Sequence, residues 1–233
     1  MLELEVATPD LAVLNLGRID YEAAWQLQRE LAAERAADRL ANTLLLLEHP
    51  HTYTFGSKGK REHLLVPEED LRAEGIAVLD VDRGGDVTYH GPGQLVGYPV
   101  LRLRDYGIRC VQYLRCLEEV LVRVAGSYGL TAGRQRGYTG VWVGDAKLAA
   151  IGTKVDANGI TRHGFALNVT TDLRYFARII PCGIPDKAVC SLESLLGRPV
   201  DLAEAAERTV QAFHEVFDPV GRSQKSEVRG ASQ

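Results

Sequence analysis

Apolar positions recurring at spacings of three and four mark four helices along this chain. The first opens after Asp20, a residue type suited to an N-cap, and runs to about Ala37 with Ala24, Leu27 and Leu31 on one face. The second spans about 109–128; Cys110, Leu114, Leu117, Leu121 and Val124 form its stripe and Gly129 stops it. A shorter helix is predicted over 68–74. The last opens at Asp201, with Glu204 placed as in a capping box, and would bury Leu202, Ala206, Thr209, Val210, Phe213 and Phe217. Short apolar or alternating runs between them predict strands over 43–48, 76–82, 95–103, 141–143, 147–154 and 160–169. Gly144-Asp145 and Asp156-Ala157-Asn158-Gly159 read as turns. The order is neither regular βαβ alternation nor all-β. It predicts one α/β domain of the α+β type over 1–217, a mixed, largely antiparallel sheet flanked by helices. The polar stretch without periodicity over 218–233 is expected to be a disordered tail.

Composition narrows the class. With 233 residues, 45% apolar and 25% charged, the chain can bury a real core and is neither fibrous nor disordered. A net charge of −4 removes the general basic field of a nucleic-acid binder. The start, Met1-Leu2-Glu3-Leu4-Glu5, lacks the basic and apolar regions of a signal peptide, and the longest apolar run, 44–47, is far below a membrane span. A cytoplasmic protein with no membrane or nucleic-acid partner is the expectation. The four cysteines, Cys110, Cys116, Cys182 and Cys190, are too sparse for a disulfide scaffold and fit no CxxC or zinc-knuckle spacing. No HExxH pattern or carboxylate cluster suggests a metal, and no nucleotide fingerprint appears, so neither metal nor cofactor is expected.

Three stretches carry candidate chemistry. In Arg83-Gly84-Gly85-Asp86-Val87-Thr88-Tyr89-His90-Gly91-Pro92-Gly93-Gln94, Gly84 and Gly85 let a ligand approach the main chain, and their amides suit an anion or oxyanion. Gly91-Pro92-Gly93-Gln94 fits a type II turn with Gly93 at positive φ. The alternative is a pair of ordinary loops. In Pro181-Cys182-Gly183-Ile184-Pro185 a thiol sits on a constrained turn, either presented to a cleft or buried as a structural group. Lys147 starts an otherwise apolar strand, where it either snorkels or serves a site. Cys110 reads as core, Cys116 and Cys190 as packing, and His214 as solvated; His49, His51, His63, His90 and His163 are candidate bases by type.

RGGDVTYHGPGQ from Arg83, KLAAIG from Lys147, HGFALN from His163 and PCGI from Pro181, in this order, resemble the lipoyl(octanoyl) transferase family, within the larger group of biotin and lipoate protein ligases. The resemblance implies the catalytic-domain fold of that group. It also implies transfer of an octanoyl chain from acyl carrier protein to a lysine of lipoyl domains, those of 2-oxoacid dehydrogenases and the glycine cleavage H protein. Cys182 matches the family nucleophile and Lys147 its activating lysine. Arg83 to His90 (with Asp86, Val87, Thr88 and Tyr89), Ala150, Ile151, Gly152, Gly164, Phe165 and Ala166 match its substrate-binding stretches. Ala149 and Leu167, with Ala150, Ile151, Phe165 and Ala166, are either the wall of an acyl groove or ordinary core. The oxyanion donors would be amides near Gly84, Gly85 or Cys182. Lys58, Lys60 and Arg61, and Arg134 with Arg136, are local basic clusters for acidic partners. Monomer is the default state.

Overall fold

The computed structural model describes residues 11–180 and 188–230, with side chains as far as Asp218. Ten strands form two mixed sheets. The larger has the order β1-β2-β6-β10-β9-β8-β7. Its strands are β1 (Leu11–Arg18), β2 (Asn42–Glu48), β6 (Gln94–Val100), β7 (Gly133–Gln135), β8 (Tyr138–Val143), β9 (Ala146–Val155) and β10 (Thr161–Asn168). Only β1 and β2 run parallel; every other pairing in it is antiparallel. The smaller sheet orders β4 (Ala77–Asp80), β3 (Thr52–Phe55) and β5 (Val87–His90).

The helices explain why β2 carries four consecutive leucines, Leu44 to Leu47. Leu44 and Leu46 face a core filled by α3 (Cys110–Ser127) and α5 (Leu202–Gly230), while Leu45 and Leu47 face α1 (Tyr21–Ala36) on the other side. A strand covered on both faces loses the alternation that one exposed face would impose. The two short helices are α2 (Glu68–Ala73) and α4 (Leu192–Leu196).

The large sheet and four helices follow the pattern predicted from sequence; the separate small sheet, strands β1, β3, β5 and β7, and α4 were not predicted. Three expectations change. Cys110 is exposed at the first position of α3, because the buried stripe begins one turn later at Tyr113 and continues through Leu117, Val120, Leu121 and Val124. Asp20 makes no side-chain cap to α1. The expected disordered tail is helical to Gly230. Arg222, Gln224, Lys225, Glu227 and Arg229 are good helix formers, and propagation from a formed helix avoids a new nucleus.

Candidate active site

The glycine-rich stretch crosses from the small sheet to the large one, and a buried arginine holds it there. The Arg83 guanidinium donates to Thr54 O at 2.7 Å, Thr54 Oγ1 at 2.9 Å, Asp86 O at 2.8 Å and Gly84 O at 3.1 Å. The Gly84 amide donates to Thr153 O on β9 at 2.9 Å. This crossing tolerates no side chain at Gly152: a Cβ there would stand 2.8 Å from Gly84 O. Beyond β5 the predicted turn is present, with Gln94 N–H donating to Gly91 O at 3.1 Å and Gly93 at φ +78°.

Between loop, β5, β9 and β10 lies a pocket. Arg83, Gly84, Gly85, Val87, Thr88 and His90 form one side; Ala150, Ile151, Gly152, Gly164, Phe165 and Ala166 form the other. The structure thus brings together every predicted substrate residue except Asp86 and Tyr89. Asp86 turns away to bind the amides of Lys60 (3.0 Å) and Val87 (2.7 Å) and the His63 ring, fastening the 58–63 loop. Tyr89 faces the opposite side of β5 from Thr88 and His90, as strand alternation requires. Its ring stacks on Tyr175 at 4.9 Å and its hydroxyl meets His51 Nδ1 at 2.7 Å. Ala149 and Leu167, candidates for the groove wall, belong instead to the core under α3 and α5.

Sequence reasoning missed Tyr21 and Tyr98 as lining residues, and His163 had been a candidate by type only. Tyr21 opens α1 and Tyr98 sits in an apolar strand, so neither position carries a distinguishing local pattern. With His49 and His90 they make a polar cluster beside the apolar walls. His49 bonds Ile19 O (2.8 Å) through Nδ1 and the Tyr98 hydroxyl (2.7 Å) through Nε2. His163, at φ +54°, meets Asp82 Oδ1 (2.8 Å) through Nε2 and the Tyr21 hydroxyl (3.3 Å) through Nδ1. Burial disfavours the charged imidazolium in each. It holds His49 down to about 4, His90 well below the ordinary histidine value, and His163 lower despite Asp82 pulling the other way. Burial also pushes both tyrosines upward.

Lys147 is buried, 7% exposed, rather than snorkelling. Its Nζ stands 4.9 Å from the centre of the Trp142 ring on paired strand β8. Its main chain accepts from Cys190 N at 3.0 Å and donates to Ala188 O at 2.9 Å. Ala188 is the first described residue after the 181–187 stretch, and Ile180, the last before it, donates to His63 O at 2.8 Å. Cys182 itself lies outside the described residues. Lys147 precedes Ala150 by three positions on β9, about 10 Å along the strand.

Of the remaining cysteines, Cys116 and Cys190 suit packing. Burial raises the Cys116 thiol and pushes Cys190 up to about 11. His214 pairs with Asp218 at 3.4 Å on α5. Among the described residues no group of histidine, cysteine and carboxylate side chains is arranged to hold a metal ion, and no helix is long and apolar enough to cross a membrane.

Residues 20–214 match the lipoyl protein ligase A/B catalytic domain, and the chain belongs to that family, in its octanoyltransferase branch. The octanoyltransferase of Chloroflexus aggregans is 49% identical over 210 residues, covering 89% of this chain and 95% of that one. That of Rubrobacter xylanophilus is 48% identical, covering 94% and 100%. Among solved structures, the bi-partite lipoate protein ligase of Thermoplasma acidophilum superposes with a TM-score of 0.64 at 17% identity, over 91% of this chain and 90% of that one. The Aquifex aeolicus biotin protein ligase bound to biotin and ATP gives 0.55 at 14%, over 88% and 70%. These two share the fold. The chain is an acyltransferase, an octanoyltransferase by its close relatives.

Proposed function

We propose that the octanoyl chain travels through a thioester on Cys182 and occupies the pocket between Gly84–Gly85 and β9–β10. The observation carrying this reading is that β9 bears both Lys147 and the Ala150–Gly152 wall, so lysine and pocket share one rigid element. In the first half-reaction the Cys182 thiolate attacks the carbonyl carbon of the donor thioester, and the bond to the donor's sulfur breaks. The Lys147 ammonium, which steadies the Cys182 thiolate beforehand, gives its proton to the departing thiolate. In the second, the acceptor lysine's amine attacks the Cys182 thioester, its extra proton passes to Lys147, and Cys182 leaves as thiolate. Exchange between thioesters is nearly isoenergetic and amide formation runs downhill, so no ATP enters. One cysteine/lysine dyad serves both halves.

The oxyanion falls to the Gly85 amide, at φ +95° beside the pocket, because that of Gly84 is committed to Thr153. The donor is octanoyl-acyl carrier protein; the acceptors are lipoyl domains of 2-oxoacid dehydrogenases and the glycine cleavage H protein. Arg61 is paired with Glu68 and Asp80, and Arg134 with Glu118 and Glu119. Lys58 and Arg136 therefore carry what attraction these loops offer to acidic partners. A cytoplasmic monomer completes the reading.

Intact-protein mass spectrometry after incubation with octanoyl-carrier tests it. The native enzyme should gain one hydroxylamine-labile octanoyl group, and Cys182→Ala none. An unmodified native enzyme, or an adduct that survives in Cys182→Ala, defeats the cysteine route. Turnover of ATP with free octanoate would place the chain among the ligases instead.

A further inference from the structure

The histidine cluster contains one more acceptor than its own donors satisfy. Ile19 O is a carbonyl, so His49 carries its proton on Nδ1 and its Nε2 accepts from the Tyr98 hydroxyl. Asp82 is a carboxylate that its partners His163 and Arg162 hold well below the usual range. His163 therefore carries its proton on Nε2, and its Nδ1 accepts from the Tyr21 hydroxyl. Both tyrosine protons are committed.

His90 is fixed by a longer relay. Cys190 O accepts from Asn168 Nδ2 at 3.0 Å, which turns Asn168 Oδ1 toward Gln94. Gln94 Nε2 donates to that oxygen at 3.0 Å and to Tyr89 O at 3.2 Å, which turns Gln94 Oε1 toward His90. His90 Nδ1 therefore bears the proton it donates to Gln94 at 2.9 Å. Its Nε2 is left as a bare lone pair, buried, with no hydrogen-bond partner, on a ring that lines the pocket. A buried acceptor left unmet is costly, so it is a standing preference for a ligand that brings a donor.

We propose that His90 Nε2 is a subsite for a hydroxyl group on the acyl chain, so that the pocket takes hydroxyacyl thioesters in preference to their oxo counterparts. The inference rests on the acyl chain occupying this pocket. A hydroxyl supplies the missing proton; a ketone of nearly the same size sets a second lone pair against the first. The expected discrimination is between about 5- and 150-fold, the equivalent of about 1 to 3 kcal/mol.

The test is a competition between octanoyl-carrier thioesters bearing a hydroxyl or an oxo group at the same carbon, for each of carbons 4 to 7, with the two transferred products measured by mass spectrometry. Each ratio is internal to one preparation, so loss of folded enzyme cancels. At one carbon the native enzyme should favour the hydroxyl by that margin, and His90→Leu should bring the ratio near unity there. Gln94→Glu sets a carboxylate beside Nδ1 and favours the imidazolium, whose Nε2 donates; the ratio should then swing toward the oxo chain. A native enzyme with no hydroxyl preference at any carbon, or a preference that persists in His90→Leu, overturns the subsite. Ala150→Leu separates the two levels. If it depresses transfer of plain octanoyl while the ratios are flat, the pocket stands and the subsite falls. If plain octanoyl transfer is untouched, the pocket assignment falls and the subsite with it.

Discussion

The two faces of the large sheet are built from the same strands and follow opposite rules. Toward α3 and α5, Leu44, Leu46, Leu95 and Leu167 fill space with hydrocarbon. Toward α1 and the small sheet, their neighbours are Ala150, Gly152, Gly164 and Ala166, small residues beside buried histidines and tyrosines. One face gains stability from close packing. The other forgoes volume to keep a slot open, and its polar groups draw their bonds from α1, β5, β6 and β10 and the loops beside them. On β10 the two are one residue apart, with Ala166 at the pocket and Leu167 in the core.

The strongest way to sharpen this contrast is at Lys147, buried beside Trp142. Lys147→Met keeps most of the apolar stem and removes the charge. Single-turnover acylation of Cys182 should slow by about 10³-fold, within the span usual for loss of a proton-transfer group, while the denaturation midpoint moves little. A rate within tenfold of native would remove Lys147 from the dyad.

Acid should strike the polar face first. In the unfolded chain histidine takes up a proton near pH 6.5, whereas folded His49 does so only at about 4. Between those values the unfolded state holds more protons, so stability is full above about pH 6.5 and declines as pH falls toward 4. His49 alone accounts for up to roughly 3 kcal/mol of that loss, and His90 and His163 act in the same direction. Urea titrations across this range should show the slope, and His49→Gln should flatten it. A stability independent of pH there would contradict the buried, uncharged cluster.

The finest probe makes the same substitution at adjacent residues. Ala149 is fully buried against the α3 core, whereas Ala150 lines the pocket. Ala149→Leu should cost about 2 kcal/mol by overpacking and leave the relative rates for six-, eight- and ten-carbon chains unchanged. Ala150→Leu should change stability by no more than about 0.5 kcal/mol, yet lower octanoyl transfer about tenfold and spare shorter chains. Equal effects from the two would mean that the faces are not separate.

Much of this architecture was legible in the chain. The stripe of α3 repeats because one face of the helix is buried, and the apolar runs of β2 and β6 stand out because both faces of those strands are covered. The Gly91–Gln94 turn was legible because only glycine accepts positive φ at Gly93 without strain. Most of the pocket followed from contiguous motifs, since loop, β9 and β10 each contribute consecutive residues. Ala149 and Leu167 stay open between wall and core in the sequence because small and apolar residues occur on both sides of the sheet, and sequence alone does not say which side is filled.

Local residue patterns encode the sheet-forming runs and the long helices, and the motif resemblance pointed to the glycines and alanines that frame the pocket, with Lys147 on the same strand as Ala150. Tertiary structure alone decided the rest. It turned Asp86 and Tyr89 out of the pocket, brought Tyr21 and Tyr98 in, and left His90 with an unmet lone pair. Those outcomes depend on bonds between residues far apart in the chain, such as Asn168 with Cys190 O and His49 with Tyr98. Periodicity records which face of an element is buried; the partner that each polar atom finds there is settled only when the elements are packed.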